Sequence, residues 1–134
     1  ILDRPGAGYR SNVFWTPENG TAYSYIGAYL NWDAPHAHNG LLELALMVGL
    51  PGVVLFLMAF LLTAARVGGL RQNLPQERPL QFFILILLFT FFVNITEVTV
   101  MQANNGLWFC FLYVALRSTL ITLPRVRLPS SPVR

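Results

Sequence analysis

The residues best suited to chemistry form a short polar cluster immediately before a long apolar run. His36, His38 and Asn39 lie within five positions of Gly40, where that run begins. A neutral imidazole accepts a proton near pH 7, and the positive end of a helix dipole favours the neutral ring of a histidine placed just before it. His38 is therefore a candidate general base. The alternative is that His38 and Asn39 only cap the helix by satisfying its first backbone donors.

A metal site is the second kind of chemistry that this cluster suggests. His36 and His38 are two positions apart, so in an extended segment both rings face one side and could bind a metal together with Asp33. Two histidines in a loop are a weak pattern without a third strong ligand. Cys110 is the only cysteine and lies inside an apolar run, so it adds no ligand set. We expect neither a metal nor a cofactor.

Other candidate binding residues are scattered along the chain. Arg10 offers a bidentate fork to phosphate or balances nearby acids. Glu97 follows an apolar run, where an acid contributes to a site or simply lies at the membrane boundary. Trp32 is one of seven aromatic residues in positions 1–39, which suit sugar stacking or an interfacial belt. Glu43 favours a helix start electrostatically or binds an acceptor.

The elements that must position these residues are apolar helices. Of the 134 residues, 54% are hydrophobic and only 11% are charged, which is typical of a membrane protein. Apolar runs predict three membrane-spanning helices at about 41–65, 80–97 and 107–123. The first would reach roughly 37 Å, enough for a hydrocarbon core of about 30 Å. The predicted fold class is therefore all-α integral membrane, with a mostly irregular extracytoplasmic segment.

Breaks in the apolar pattern complete this organisation. The sequence Gly49-Leu50-Pro51-Gly52 predicts a kink about a third of the way along the first helix. Between the first two helices, Gly68, Gly69 and Pro75 are expected to end any helix and leave positions 66–79 as a loop.

The basic residues predict the orientation. All nine are arginines, and six of them fall in the 66–79 loop or in the basic tail at 124–134. Arginines near span ends are retained in the cytoplasm, so the segment 1–39 should be periplasmic and the tail cytoplasmic. No basic face with interleaved aromatic residues is present in the sequence, which argues against nucleic-acid binding.

Several short motifs in order resemble a known family. The sequence from His36 to Leu44, running into Val48–Val53, resembles the signature of the O-antigen ligase and polysaccharide polymerase superfamily. Its exopolysaccharide-production branch is similar in three further pieces: Arg4-Pro5-Gly6-Ala7-Gly8-Tyr9, Phe14-Trp15 and Asn94-Ile95-Thr96-Glu97. The resemblance spans about residues 3–116.

That resemblance implies an activity and its partners. Members of the family are bacterial inner-membrane enzymes that transfer a glycan from a polyprenyl-diphosphate carrier to a sugar hydroxyl, without a metal. By motif, His38 matches the histidine thought to be catalytic, whereas Arg4 does not clearly match the arginines that handle diphosphate. The implied partners are the carrier-linked saccharide, an acceptor glycan and the lipid bilayer.

We expect the chain to be a C-terminal piece whose site is completed by missing N-terminal helices, and hence to be inactive in isolation. The alternative is a non-catalytic membrane fragment, or a transporter piece with a ligand-binding outer loop. Whether the product is a polymer or a ligated surface saccharide stays open, because both outcomes use the same chemistry.

Overall fold

The regular structure of this protein is helical. A computed structural model describes residues 5–10, 13–16, 24, 29, 36–73 and 78–122. Among these residues, the structure gives bounds for three α-helices, α1 (Gly40–Asn73), α2 (Arg78–Thr96) and α3 (Gly106–Thr122), and for one 3-10 turn before them at Val13–Trp15. The described ranges contain no β-strand, which confirms the all-helical prediction for them. The predicted tail at 124–134 and most of the segment 1–39 lie outside these ranges.

Two of the three helices meet the requirements for crossing a membrane. Within α1, the most apolar 18-residue window of Gly40–Arg71 has a mean hydropathy of 2.6, and in α2 the 18 residues from Pro79 to Thr96 average 2.0. α3 is apolar but has only 17 residues, about 26 Å at the usual rise. Length and composition thus support two of the three predicted spans.

α1 extends further than its sequence predicted. The expected loop at 66–79 is wrong in its first part, because the helix continues through Gly68 and Gly69 to Asn73. Each glycine weakens a helix interior by about 1 kcal/mol relative to alanine. Burial of Val67, which is 1% exposed, and a 3.1 Å hydrogen bond from Arg66 Nη1 to Thr119 Oγ1 stabilise this part of the helix.

The helices alternate in direction. The start of α1 meets the end of α2 through a 3.1 Å hydrogen bond from Asn39 Nδ2 to the Ile95 carbonyl. The other end of α1 meets the end of α3 at Arg66 and Thr119. The residues before α1 and the turn between α2 and α3 therefore lie at one end of the bundle. Arg66 and Arg71 lie at the opposite end, the arrangement that the orientation prediction requires.

The core between the helices is aliphatic and aromatic. Its buried members are Val67, Leu80, Phe83, Leu87, Phe111 and Val114. Outside the core, large apolar side chains such as Leu55 and Leu61 are 66% and 65% exposed. Apolar exposure of this extent is expected of helices that face lipid or further helices rather than water.

α1 and α2 approach closely at Gly40, and this contact gives a testable prediction. A Cβ added at Gly40 would overlap the Asn94 side chain, which is buried. We expect Gly40→Ala to lower the free energy of unfolding by about 1–3 kcal/mol, since the packed amide must move. SDS-induced unfolding in detergent micelles measures the change.

A matched control is Gly68→Ala, because Gly68 lies inside α1 and, apart from its chain neighbours and the backbone of its own helix, nothing lies within 4 Å of the added Cβ. That substitution should stabilise the chain by about 0.4–1 kcal/mol. Equal effects of the two substitutions would contradict a specific contact at Gly40.

Candidate functional site

The structure places His36 and His38 beside Glu97, an acid that is distant from them in the sequence. One imidazole nitrogen from each of His36 and His38 and one carboxylate oxygen of Glu97 all lie within 4.8 Å of one another. The histidine ring centroids are 4.2 Å apart. The histidines precede α1 and Glu97 directly follows α2, so the site forms where these two helix ends meet.

The backbone at His38 directs its ring outward. His38 has a φ of 49°, in the left-handed region that non-glycine residues adopt uncommonly. Its N–H donates to His36 Nδ1 at 3.2 Å, which closes a tight local turn. The His38 side chain is exposed, and its ring makes no hydrogen bond with any residue that the structure describes. The ring is therefore accessible to solvent.

Asn39, rather than His38, caps the helix. Its Oδ1 accepts the Leu42 N–H at 2.9 Å and its carbonyl accepts the Glu43 N–H at 2.9 Å, the pattern of an N-cap. Its Nδ2 donates to the Ile95 carbonyl. The side chain thus connects the start of α1 to the end of α2 and sets the separation of the two halves of the site. Substrate binding by Asn39 stays a prediction.

The Glu43 carboxylate holds residues that precede α1 in place. Its carboxylate is 3% exposed and accepts the Trp15 indole N–H at 3.0 and 3.1 Å and the Ala37 N–H at 2.9 Å. Glu43 therefore does more than stabilise the helix start electrostatically. Sequence reasoning missed the bond to Trp15, since the two residues are 28 positions apart and no local spacing relates them.

Removal of this carboxylate should detach the described residues at 5–10 and 13–16, here called the outer segment, from α1. Glu43→Ala leaves the Trp15 and Ala37 donors unsatisfied, and we expect a loss of about 1–3 kcal/mol in the free energy of unfolding. Arg10, which is exposed, should also become more susceptible to trypsin. Glu97→Ala is the matched control, because that carboxylate is exposed; a similar loss from both variants would contradict the role of Glu43.

The turn that carries Glu97 is organised by Asn94. Asn94 is 5% exposed; its Nδ2 donates to the Thr90 carbonyl at 2.7 Å and to Thr99 Oγ1 at 2.6 Å. Its Oδ1 accepts the N–H groups of Thr99 and Val100 at 3.1 and 3.3 Å. One buried amide therefore ends α2 and fixes the start of the following turn, on either side of Glu97.

The predicted kink in α1 is confirmed and lies at Gly49. This residue has φ 78° and ψ −178°, so α1 consists of two helical pieces joined by one non-helical residue. Pro51 lies in the first turn of the second piece, where its missing N–H has no helical partner to lose. The break is therefore compatible with the proline.

The segment 5–10 lies against this break and supplies the missing hydrogen bonds. Three backbone bonds join them: Tyr9 N–H to Leu46 O at 2.6 Å, Arg10 N–H to Met47 O at 3.0 Å, and Leu50 N–H to Pro5 O at 2.9 Å. Gly8, with φ 61°, allows this approach, since an added Cβ would lie 2.7 Å from backbone atoms of α1. The segment completes the interrupted helix.

The remaining predicted site residues lie elsewhere. The Arg10 backbone contacts Met47, which is about 12 Å along α1 from Asn39 by the helical rise. The structure therefore does not place Arg10 in the group formed by His36, His38 and Glu97. Trp32 and Asp33 lie outside the described residues.

In chemical terms, the group combines two imidazole rings with one carboxylate at an open surface. Such a set can accept a proton, stabilise a cationic imidazolium or bind a metal ion. Comparison with known proteins gave no match among family models, curated proteins or solved structures.

Proposed function

We propose that the chain is part of a membrane enzyme of the O-antigen ligase or exopolysaccharide polymerase type, which transfers a glycan from a polyprenyl-diphosphate carrier to an acceptor sugar hydroxyl. The observation that carries the proposal is the exposed His38 ring, which has no hydrogen-bond partner among the described residues and lies beside Glu97. The motif resemblance centred on the same histidine supports this activity. The site faces the periplasm of a bacterial inner membrane.

The reaction is a substitution at the anomeric carbon of the donor. The acceptor hydroxyl oxygen forms the new bond to this carbon, while the bond from the carbon to the phosphate oxygen breaks. The electron pair leaves with polyprenyl diphosphate, and His38 takes the hydroxyl proton as general base. Glu97 stabilises the imidazolium that forms, as a carboxylate beside a histidine does. The proton then passes to water.

The surroundings of the site suit a lipid-linked donor. A cavity of about 70 Å³ lies between α1 and α2, lined by Asn39, Phe56, Phe60, Thr90, Asn94 and four other residues. Its walls are mostly apolar, and the buried Thr90 hydroxyl has no hydrogen-bond partner among the residues that the structure describes. An apolar wall next to a polar site at the membrane boundary accommodates a carrier whose chain lies in lipid and whose diphosphate lies at the surface.

Diphosphate binding needs more cations than the described part of the site holds. Arg10 is exposed, its backbone is bonded to Met47, and it is proposed to bind a phosphate of the carrier on the side of the helix break, apart from the histidines. Further arginines would come from helices outside this chain. Glu97, His36, Asn39 and Trp32 are proposed to bind the saccharides.

A transporter piece is the second candidate, and the break at Gly49 favours it. Transporters use interrupted helices whose free backbone groups bind ions or substrates. Here, however, Tyr9, Arg10 and Pro5 already pair with Leu46, Met47 and Leu50. The occupied break therefore supports a structural joint rather than an ion site.

The activity is tested with the full-length parent protein in a bacterial host that lacks its own ligase or polymerase. Surface glycans are separated by size from cells carrying the parent gene or an empty vector. We expect long-chain or ligated glycan only with the gene. Its absence at normal membrane expression would overturn the enzyme proposal and move the transporter alternative ahead.

A further inference from the structure

We propose that His36, His38 and Glu97 form a binding site for a divalent transition-metal ion of the zinc class. The sequence suggested Asp33 as the residue that would bind a metal with the two histidines. In the structure, the third ligand is instead Glu97, which follows the end of α2. The three ligand atoms lie within 4.8 Å of one another, and two helix ends hold their backbones in place. The inference concerns a property distinct from the proposed transfer, which needs no metal.

The donor set selects the class of ion. Two imidazole nitrogens and one carboxylate oxygen match the ligands of zinc and of neighbouring transition metals. Calcium and magnesium prefer sites made entirely of oxygen, so they fit poorly. Three protein ligands leave one tetrahedral position for water or for another ligand.

The ligands need only a small movement to close on an ion. Ligands at about 2.1 Å from a tetrahedral ion are about 3.4 Å apart, so the present separations must shorten by up to roughly 1.4 Å. His38 and Glu97 are exposed and His36 is half-buried, so side-chain rotation provides this movement. His36 Nδ1, which accepts the His38 N–H at 3.2 Å, can exchange that weak bond for the metal.

The electrostatic surroundings favour a cation. Glu97 brings a negative charge, and the carbonyl end of α2 immediately before it adds the negative end of a helix dipole. The start of α1 opposes a cation, but the Glu43 carboxylate lies in its first turn and offsets that field.

A bound ion would also regulate the site, a consequence that rests on the proposed function. A metal bound to His38 occupies the lone pair that would otherwise accept the hydroxyl proton. Zinc is therefore an inhibitor of transfer, and a chelator reverses its effect.

Metal binding is tested on the full-length parent protein, purified in detergent without a histidine tag. Co²⁺ is titrated while its visible absorption is recorded, and Zn²⁺ is then added to displace it. We expect one ion per chain with a spectrum typical of low coordination number. Loss of a residue that only supports a metal ligand lowers metal affinity by about 10- to 100-fold. His36→Gln and Glu97→Gln each remove a ligand itself, so each should weaken Co²⁺ binding by about 100-fold or more.

Asn104→Ala, an exposed change in the turn between α2 and α3, is the matched control and should bind Co²⁺ normally. Absence of the Co²⁺ spectrum, or equal affinity in the control and both ligand variants, would overturn the metal site. The transfer assay separates the two proposals. Binding without inhibition by Zn²⁺ supports the metal site and counts against His38 as the base.

Discussion

Replacement of His38 by glutamine should lower the rate of glycan transfer by about 100- to 10,000-fold, the usual contribution of a general base. Glutamine has a similar length and keeps hydrogen-bonding atoms, but it cannot take the hydroxyl proton. The His38 ring is exposed and makes no described hydrogen bond, so the fold should tolerate the change. The full-length protein, assayed in membranes at saturating donor, gives the rate.

His36→Gln is the chemical control for that experiment. It removes a second imidazole 4.2 Å away, and we expect a smaller loss of rate because the His36 Nδ1 lone pair is engaged by the His38 N–H. Both variants should unfold at the wild-type SDS concentration. A His38→Gln protein with wild-type activity, or one that loses activity only through unfolding, would eliminate His38 as the base.

Gly49→Ala should cause the largest loss of stability of any single change considered. Only glycine adopts φ 78° and ψ −178° without strain, and the added Cβ would lie 2.8 Å from the Pro5 carbonyl oxygen. Backbone strain and overpacking together should lower the free energy of unfolding by about 2–5 kcal/mol. SDS-induced unfolding gives the change, and trypsin cleavage after Arg10 reports whether the outer segment has separated from the helix.

Gly69→Ala provides the comparison, since Gly69 lies in the same helix and nothing beyond its chain neighbours and that helix's own backbone lies within 4 Å of the added Cβ. It should be neutral or stabilising by up to about 1 kcal/mol. If Gly49→Ala unfolds like Gly69→Ala and resists trypsin equally, the break in α1 does not depend on glycine at that position.

The helical framework was predictable because apolar run length is a direct physical requirement of a bilayer. The predicted helices at 41–65, 80–97 and 107–123 begin within a few residues of the observed helices, and the predicted kink near Pro51 is present. The end of α1 was not predictable, because the packing of Val67 and the bond from Arg66 to α3 depend on tertiary contacts that outweigh the glycines.

The site was predictable in its residue types but not in its assembly. The position of His38 ahead of a helix follows from local sequence, as does capping by Asn39. The approach of Glu97 to the histidines does not, because 59 positions separate it from His38 and only the antiparallel packing of α1 and α2 joins them. The burial of Glu43 against Trp15 is equally non-local.

The hydrogen bonds at the helix break impose an order on folding during synthesis. Pro5 is joined to Leu50, which is made 45 residues later. At about 5–20 residues per second, translation of the intervening chain takes roughly 2–9 s, much longer than a turn or helix needs to form. The outer segment must therefore wait without its final partners until α1 has emerged. Its hydrogen bonds to α1 therefore form late, although its residues are made before those of α1.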